Sequence, residues 1–200
     1  TIIANDTVVD CNSASFTHVD GILFNVGGTR GVTIKNCYAS DYGRVITNEP
    51  SISLRLPVEQ LTISDNVFTG LPSYAIYLIN APTLATANYV LLNPFPNHQI
   101  MNNTITGSGA GILIDRTNNS IISDNTLEIN GAPNYEGIYL VASSHTLIER
   151  NTLTNGKIHA QNVVPIKSAN TTIQDNTLSR SYRAIELSEG SDESVIMRNF

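Results

Sequence analysis

The segment Ser120-Ile-Ile-Ser-Asp-Asn-Thr-Leu127 recurs along the chain and decides its fold. Copies that contain the motif Ile-x-x-Asn cover residues 61–68, 98–105, 146–153, 171–178 and 194–200. Residues 32–38 are interpreted as a version one residue shorter, and neighbouring Asn residues are then 22 to 37 positions apart. A motif that returns at such intervals indicates a solenoid of stacked repeats. Its Asn column is Asn36, Asn66, Asn103, Asn125, Asn151, Asn176 and Asn199.

A second β-like unit, typified by Gly111-Ile-Leu-Ile114, lies between copies of the Asn motif. Its apolar residues are two apart, which is the period of a strand with one buried face. Related units occur at residues 21–24, 75–78, 137–140, 163–166 and 184–187. Each repeat therefore contains two strands around the Asn turn and a third strand after a loop. We expect one domain over residues 1–200, with a less regular first coil in residues 1–20 and loop insertions at 43–59 and 80–97.

The repeat pattern predicts how the strands pack. A strand of about four residues cannot bury a face alone, but three such strands can stack on the coils above and below, about 4.8 Å apart. The Ile of the motif then points inward and forms an aliphatic column. The Asn has a different role, because its side chain tolerates the left-handed backbone conformation and bonds neighbouring backbone groups at a tight turn. Stacked Asn side chains can also bond one another from coil to coil.

The Ile-x-x-Asn unit, the Gly-Ile-x-apolar strand and the repeat length together resemble the right-handed parallel β-helices of the pectate-lyase-like superfamily. The resemblance covers Gly21 to Phe200 and implies an all-β solenoid of about seven coils with an Asn ladder. Both ends of the chain lie inside repeat-like sequence without a capping helix, so we expect a section of a longer β-helix. The family contains polysaccharide lyases, glycoside hydrolases, phage tailspikes and adhesins.

The resemblance also implies where a site would lie. In enzymes of the superfamily the polysaccharide groove runs over the outer face of the strand that corresponds here to the Gly-Ile-x-Leu unit. On that face, Tyr77 and Tyr139 are candidates to stack on sugar rings. The candidate catalytic carboxylates are Asp115, Glu136 and Glu186, with Asp115 and Glu136 as the best pair on adjacent coils for glycoside hydrolysis. Candidate ligands for acidic sugar groups are Arg116, Lys167 and Arg183, and His159 also flanks the strand entry.

Composition and charge exclude several classes of function. The net charge of −6 and a charged fraction of 14% do not fit a nucleic-acid-binding protein. No apolar run approaches the ~18 residues of a membrane span. The four His residues show no metal-ligand spacing, and we expect neither a metal nor another cofactor. Cys11 and Cys37 could form a disulfide or remain two buried thiols.

Two hypotheses about function remain. The first is a carbohydrate-binding or polysaccharide-degrading β-helix, tailspike-like or secreted, whose enzymatic activity, if any, would be that of a hydrolase or lyase. The second is a non-enzymatic structural or adhesive β-helix, since the motif sets of polygalacturonases, pectate lyases and alginate epimerases are absent. Both predict an extracellular, cell-surface or virion-associated protein. The expected partners are a polysaccharide or oligosaccharide and further copies of the chain, three in a tailspike-like assembly.

Overall fold

The computed structural model describes residues 1–2, 4–18, 21–48, 58–80, 97–130, 135–161, 168–188 and 191–200. These ranges contain 22 β-strands. They contain no helix long and apolar enough to cross a membrane. The strands follow one another as seven triplets, each of which is called a coil below, and one further strand.

The strands in chain order, coil by coil, are β1 (Val8–Asp10), β2 (Ser15–Thr17) and β3 (Ile22–Asn25); β4 (Thr33–Lys35), β5 (Tyr38–Ser40) and β6 (Arg44–Thr47); β7 (Leu61–Ser64), β8 (Val67–Thr69) and β9 (Tyr74–Ile79); β10 (His98–Met101), β11 (Thr104–Ser108) and β12 (Ala110–Asp115); β13 (Ile121–Ser123), β14 (Thr126–Ile129) and β15 (Tyr135–Val141); β16 (Leu147–Glu149), β17 (Thr152–Thr154) and β18 (Gly156–Gln161); β19 (Thr172–Gln174), β20 (Thr177–Ser179) and β21 (Ile185–Leu187); and β22 (Val195–Met197).

The three strands of each coil belong to three different sheets. The first strands and β22 form sheet 1 with eight strands, the second strands form sheet 2 with seven, and the third strands form sheet 3 with seven. Neighbouring strands are parallel and come from successive coils, as in the pairs of β10 with β13, β11 with β14 and β12 with β15. The predicted all-β parallel solenoid is confirmed.

The predicted Ile column fills the interior. Ile63 pairs in register with Ile100, and Ile122 with Ile148, so that one side chain lies directly above the next. From Ile34 to Ile173 the members of the column are fully buried. Ile196 is 48% exposed because its strand, β22, lies at the end of sheet 1 and has a neighbour on one side only.

The predicted Asn ladder is present from Asn66 to Asn199. The Oδ1 atom of Asn125 accepts hydrogen bonds from the backbone N–H and the Nδ2 group of Asn103, at 3.0 and 2.9 Å. Nδ2 of Asn125 in turn donates to Oδ1 of Asn151 and to the carbonyl of Ile100, both at 2.9 Å. The same pattern continues through Asn176. These bonds satisfy backbone groups that would otherwise be buried without partners at the turn between sheets 1 and 2.

The inclusion of Asn36 in the ladder was wrong. Ile34 pairs with Ile63 and Lys35 with Ser64, so Cys37 rather than Asn36 occupies the ladder position next to Asn66. The backbone N–H of Cys37 donates to Oδ1 of Asn66 at 3.0 Å. Asn36 instead has a φ of 55° and donates through Nδ2 to Asp10. The left-handed residue of the turn is therefore the one before the ladder position.

The same strand register brings Cys11 and Cys37 together. Cys11 and Cys37 form a disulfide with a Cα–Cα distance of 4.9 Å, so the alternative of two buried thiols is excluded. The disulfide lies at the N-terminal end of the Asn column, where it joins the first and second coils.

Three strands of sheet 3 differ from the sequence assignment. In the second coil β6 falls inside the segment 43–59 that was expected to be a loop, and its Val45 and Ile46 are fully buried. In the first coil, Leu23 is the outward position that alternation within residues 21–24 predicts, but the residue that continues the outward column is Asn25, which pairs with Thr47. In the sixth coil the strand is β18, not residues 163–166, which lie outside the described residues. Residues 49–57 and 81–96, most of the two expected insertions, also lie outside them.

Candidate functional site

The outward-facing side chains of sheet 3 form a row along the β-helix axis. Tyr77 pairs in register with Leu113, Leu113 with Tyr139, and Tyr139 with His159. His159 then pairs with Glu186. This row, called the outer row below, consists of Asn25, Thr47, Tyr77, Leu113, Tyr139, His159 and Glu186.

The middle of the outer row is apolar and aromatic. Leu113 and its neighbour Ile79 are buried although they face outward, because Tyr74, Tyr77 and Tyr139 pack against them. Burial raises the pKa of both the Tyr74 and the Tyr139 hydroxyl groups. These tyrosines therefore stay neutral at neutral pH and offer an apolar ring with a polar tip. The guanidinium of Arg44 lies 3.8 Å from the Tyr77 ring centroid, within cation–π distance.

Ionised side chains are grouped around the C-terminal end of the outer row. This group, here called the charged cluster, consists of Glu136, Lys157, Arg183 and Glu186. Lys157 Nζ lies 2.6 Å from Glu186 Oε2 and 3.7 Å from Glu136 Oε1. Arg183 Nη1 donates to Glu186 Oε1 at 2.8 Å. Lys157 is mostly buried between the two carboxylates, whereas the Arg183 side chain is exposed.

A β-bulge directs Glu136 toward solvent. Glu136 pairs with Lys157 and Ile138 with Ile158, so Gly137 is an extra residue in β15. A β-bulge of this kind re-aims the neighbouring side chain. A Cβ atom on Gly137 would lie 2.6 Å from a Leu153 methyl group, so any larger residue at the bulge would displace that core side chain.

His159 connects the aromatic part of the row to the charged cluster. Its ring stacks on Tyr139 with centroids 4.9 Å apart and planes 13° apart. Its Nδ1 atom lies 3.6 Å from Glu136 Oε1, and its Nε2 atom lies 3.4 Å from Ser188 Oγ. The Tyr139 hydroxyl donates to Gln161 Oε1.

Both carboxylates of the cluster are stabilised in the ionised form. The His159 imidazole, whose Nδ1 atom lies 3.6 Å from Oε1, is the main cause that lowers the pKa of Glu136, and the charge of Lys157 adds to it. The hydrogen bond from Lys157 is the main cause that lowers the pKa of Glu186. At neutral pH these groups are therefore acceptors and negative charges, not proton donors.

The structure does not bring the proposed pair Asp115 and Glu136 together. Asp115 pairs in register with Val141, which follows Glu136 by five residues. The two residues lie at opposite ends of their strands: Glu136 and Val141 pair with Lys157 and Gln161, four positions apart on β18, which is about 13 Å along the strand direction. This part of the prediction was wrong, because two residues on adjacent coils are close only at the same register. Asp115 is instead buried and paired with Arg116 Nη1 at 2.6 Å.

The other predicted site residues have varied positions. Tyr77, Tyr139, Arg183 and Glu186 lie on the outer face of sheet 3 or at its edge, as expected, whereas Arg116 is bound to Asp115. Lys167 lies outside the described residues. Within those residues, no three or more His, Cys, Asp and Glu side chains are grouped as a metal site.

Sequence reasoning missed several residues of this face. The prediction of residues 163–166 as the third strand of the sixth coil leaves Lys157 and Gln161 outside the predicted face. The alternation of inward Ile158 and Ala160 with outward His159 and Gln161 was a usable signal for β18. Tyr182 was also missed; it is 76% exposed and lines a shallow pocket of about 310 Å³ with Lys157, Arg183 and Glu186.

The family model described as "right handed beta helix region" matches residues 57–200. The chain belongs to this right-handed β-helix family. No curated protein and no solved structure matches the chain. The family establishes the fold, and any statement about function depends on the side chains of the site.

Proposed function

We propose that the outer face of sheet 3 binds a carbohydrate chain that runs along the β-helix axis. The observation that carries the proposal is the continuity of the outer row, in which the aromatic segment from Tyr77 to Tyr139 leads directly into the charged cluster around Lys157. Successive coils repeat about every 4.8 Å, so an extended chain on this face meets a new set of side chains at each coil.

The residues of this face fit the chemistry of a sugar. The apolar faces of sugar rings pack on tyrosine rings such as those of Tyr77 and Tyr139. The hydroxyl groups of a sugar donate well to ionised carboxylates such as Glu136 and Glu186, since hydrogen bonds to charged groups are the strong ones. Lys157 and the exposed Arg183 add cationic groups next to Tyr182, which favours a glycan with acidic substituents at this end of the face.

Binding is better supported than hydrolysis by the two carboxylates of the cluster. Glu136 Oε1 and Glu186 Oε2 lie on either side of Lys157 Nζ, at 3.7 and 2.6 Å, so the two oxygens are no more than about 6 Å apart. That separation is in the range of glycoside hydrolases. Those enzymes also need a protonated acid with a raised pKa, whereas both groups here have lowered pKa values. The cluster is therefore proposed to bind a substrate and not to cleave a glycosidic bond.

The disulfide supports a place outside the cytosol. Disulfides form and persist in oxidising compartments and are rare in the cytosol. We accordingly propose that the protein acts in an extracellular or cell-surface setting, where polysaccharides are available as ligands.

A panel of neutral and acidic oligosaccharides, measured by isothermal titration calorimetry, tests the proposal. Tyr182→Ala and Tyr139→Ala should each weaken binding about tenfold, because each removes one aromatic contact. Tyr38→Ala is the matched control: Tyr38 is 42% exposed but lies in sheet 2, and its loss should leave the Kd unchanged. Failure of every glycan class to bind, or equal losses in all three variants, would overturn the proposal.

A packing face between copies of the chain is the second candidate. It is favoured by one observation, the partly buried tyrosines Tyr74, Tyr77 and Tyr139 that pack over Ile79 and Leu113 on the outer face of sheet 3. Tyr77→Glu would then dissociate an oligomer into monomers by light scattering. A wild-type monomer that binds glycan excludes this candidate.

A further inference from the structure

Three polar side chains on successive coils form a chain of contacts across sheet 3. Glu136 is in β15, His159 in β18, and Ser188 directly follows β21. His159 Nδ1 lies 3.6 Å from Glu136 Oε1, and His159 Nε2 lies 3.4 Å from Ser188 Oγ. One imidazole ring thus faces a carboxylate with one nitrogen and a hydroxyl group with the other.

We propose that Ser188, His159 and Glu136 act as a nucleophile, a general base and an orienting carboxylate in ester hydrolysis. A nucleophile and base within hydrogen-bond reach, with the base oriented by a third group, define such a triad whatever the fold. The two distances exceed the ~3.2 Å upper end of catalytic hydrogen bonds, as is common in sites without substrate.

The surroundings suit each role. His159 is held against Tyr139 by ring stacking, which fixes the plane of the imidazole. Glu136 is also 3.7 Å from Lys157 Nζ, which favours the carboxylate form that would accept from Nδ1–H once the 3.6 Å contact shortens. Ser188 is only partly buried.

A residue with a side-chain amide lies in register beside the nucleophile and could supply a donor to the developing oxyanion. Ala160 pairs with Leu187, so the next residue, Gln161, lies beside Ser188 on the adjacent coil. Gln161 Oε1 accepts from the Tyr139 hydroxyl, which leaves the Nε2 group of Gln161 as the donor. An amide N–H in this position can stabilise the oxyanion of an acyl-transfer intermediate.

The reaction proceeds in two balanced halves. Ser188 Oγ attacks the ester carbonyl carbon while its proton passes to His159 Nε2. The bond from that carbon to the alkoxy oxygen then breaks, the alcohol leaves with the proton from His159, and an acyl group remains on Ser188. Water attacks the acyl-enzyme, gives a proton to Nε2, and releases the carboxylic acid as Ser188 takes the proton back.

The ester-bearing substrate that fits this position is an O-acylated sugar, whose hydroxyl group would be the released alcohol. This choice of substrate rests on the proposed carbohydrate binding, whereas ester hydrolysis itself does not. The two proposals can therefore fail separately, and the first probe should be a small ester without a sugar.

Hydrolysis of p-nitrophenyl acetate by the full chain provides that test. Ser188→Ala and His159→Gln should each lower kcat/KM at least about a hundredfold, and Glu136→Gln at least about tenfold. Ser179→Ala, on the exposed end of β20 in the same coil, and His145→Gln, on an exposed turn, are matched controls and should retain wild-type activity.

Covalent labelling makes the result independent of any change in folding. A fluorophosphonate probe should modify Ser188, located by peptide mass spectrometry, and the label should be lost in Ser188→Ala but kept in Ser179→Ala. Wild-type hydrolysis equal to that of Ser188→Ala, or labelling elsewhere than Ser188, would overturn the triad. Release of acetate from an acetylated oligosaccharide then tests the substrate. Hydrolysis of the small ester without this release would support the triad but would contradict an O-acylated sugar as its substrate.

Discussion

At the turn between sheets 1 and 2, one residue type occupies the same position from Asn66 to Asn199, whereas no two neighbours in the outer row of sheet 3 are alike. The turn is buried and solves one problem repeatedly, namely the pairing of backbone groups between coils. The outer row lies on the outer face of sheet 3, and its backbone groups are already paired within the sheet. Substitution of side chains in the outer row therefore costs little stability, and this face can hold the residues of a functional site.

The largest effect on stability should follow from the replacement of one residue of the Asn ladder. Asn125→Ala removes the acceptor of two hydrogen bonds from Asn103 and the donor of three others. We expect the free energy of unfolding to fall by about 4 kcal/mol, since several buried groups lose partners at ~1–3 kcal/mol each. Urea unfolding measures the loss, with Asn130→Ala, at an exposed position, as the control. A loss below about 1 kcal/mol would show that the ladder is not the main stabilising feature of the turn.

A histidine inside the solenoid should behave differently from one on its face. His98 is fully buried, and burial lowers its pKa to about 3. Below pH ~6.5 the unfolded chain therefore binds a proton that the folded chain does not, and the free energy of unfolding should fall by up to ~1.4 kcal/mol per pH unit as the pH decreases.

This prediction is checked by urea unfolding between pH 7 and pH 5, above the range in which carboxylates titrate. His98→Leu should remove most of the dependence of the free energy of unfolding on pH. A leucine fits this position, since His98 pairs in register with Leu61. His145→Gln, on an exposed turn, should keep the pH dependence. A slope that survives in His98→Leu would assign the acid sensitivity to another group.

The smallest effect on stability is expected for an ion pair on the outside of the turn between sheets 1 and 2. Arg150 occupies the left-handed position before ladder residue Asn151 and donates to both carboxylate oxygens of Asp124, at 2.8 and 2.9 Å. The pair is exposed and screened by solvent, so Arg150→Gln should lower the melting temperature only slightly. A double-mutant cycle with Asp124→Asn at low and high salt should show a small coupling that salt weakens. A large coupling that salt leaves unchanged would contradict this.

The site could be predicted only in part. Outward-facing Tyr77, Tyr139 and Glu186 followed from the two-residue period around inward isoleucine and leucine residues. Glu136 faces outward for a reason that alternation cannot supply, because the bulge at Gly137 reverses its direction. The contact of Ser188 with His159 did not follow from the sequence, since the two residues are 29 positions apart and only the coil register brings them together.

The sequence by itself determined that the chain is a stacked β-solenoid with an isoleucine column and an asparagine ladder. Both features depend on identical local surroundings in each coil, and identical surroundings select identical residues. The tertiary structure alone decided which residue ends the ladder, where Cys37 replaces Asn36, and which side chains of sheet 3 meet. Loop lengths differ from coil to coil, and the register of the third strand is therefore fixed by its hydrogen bonds to neighbouring coils and not by its distance along the chain.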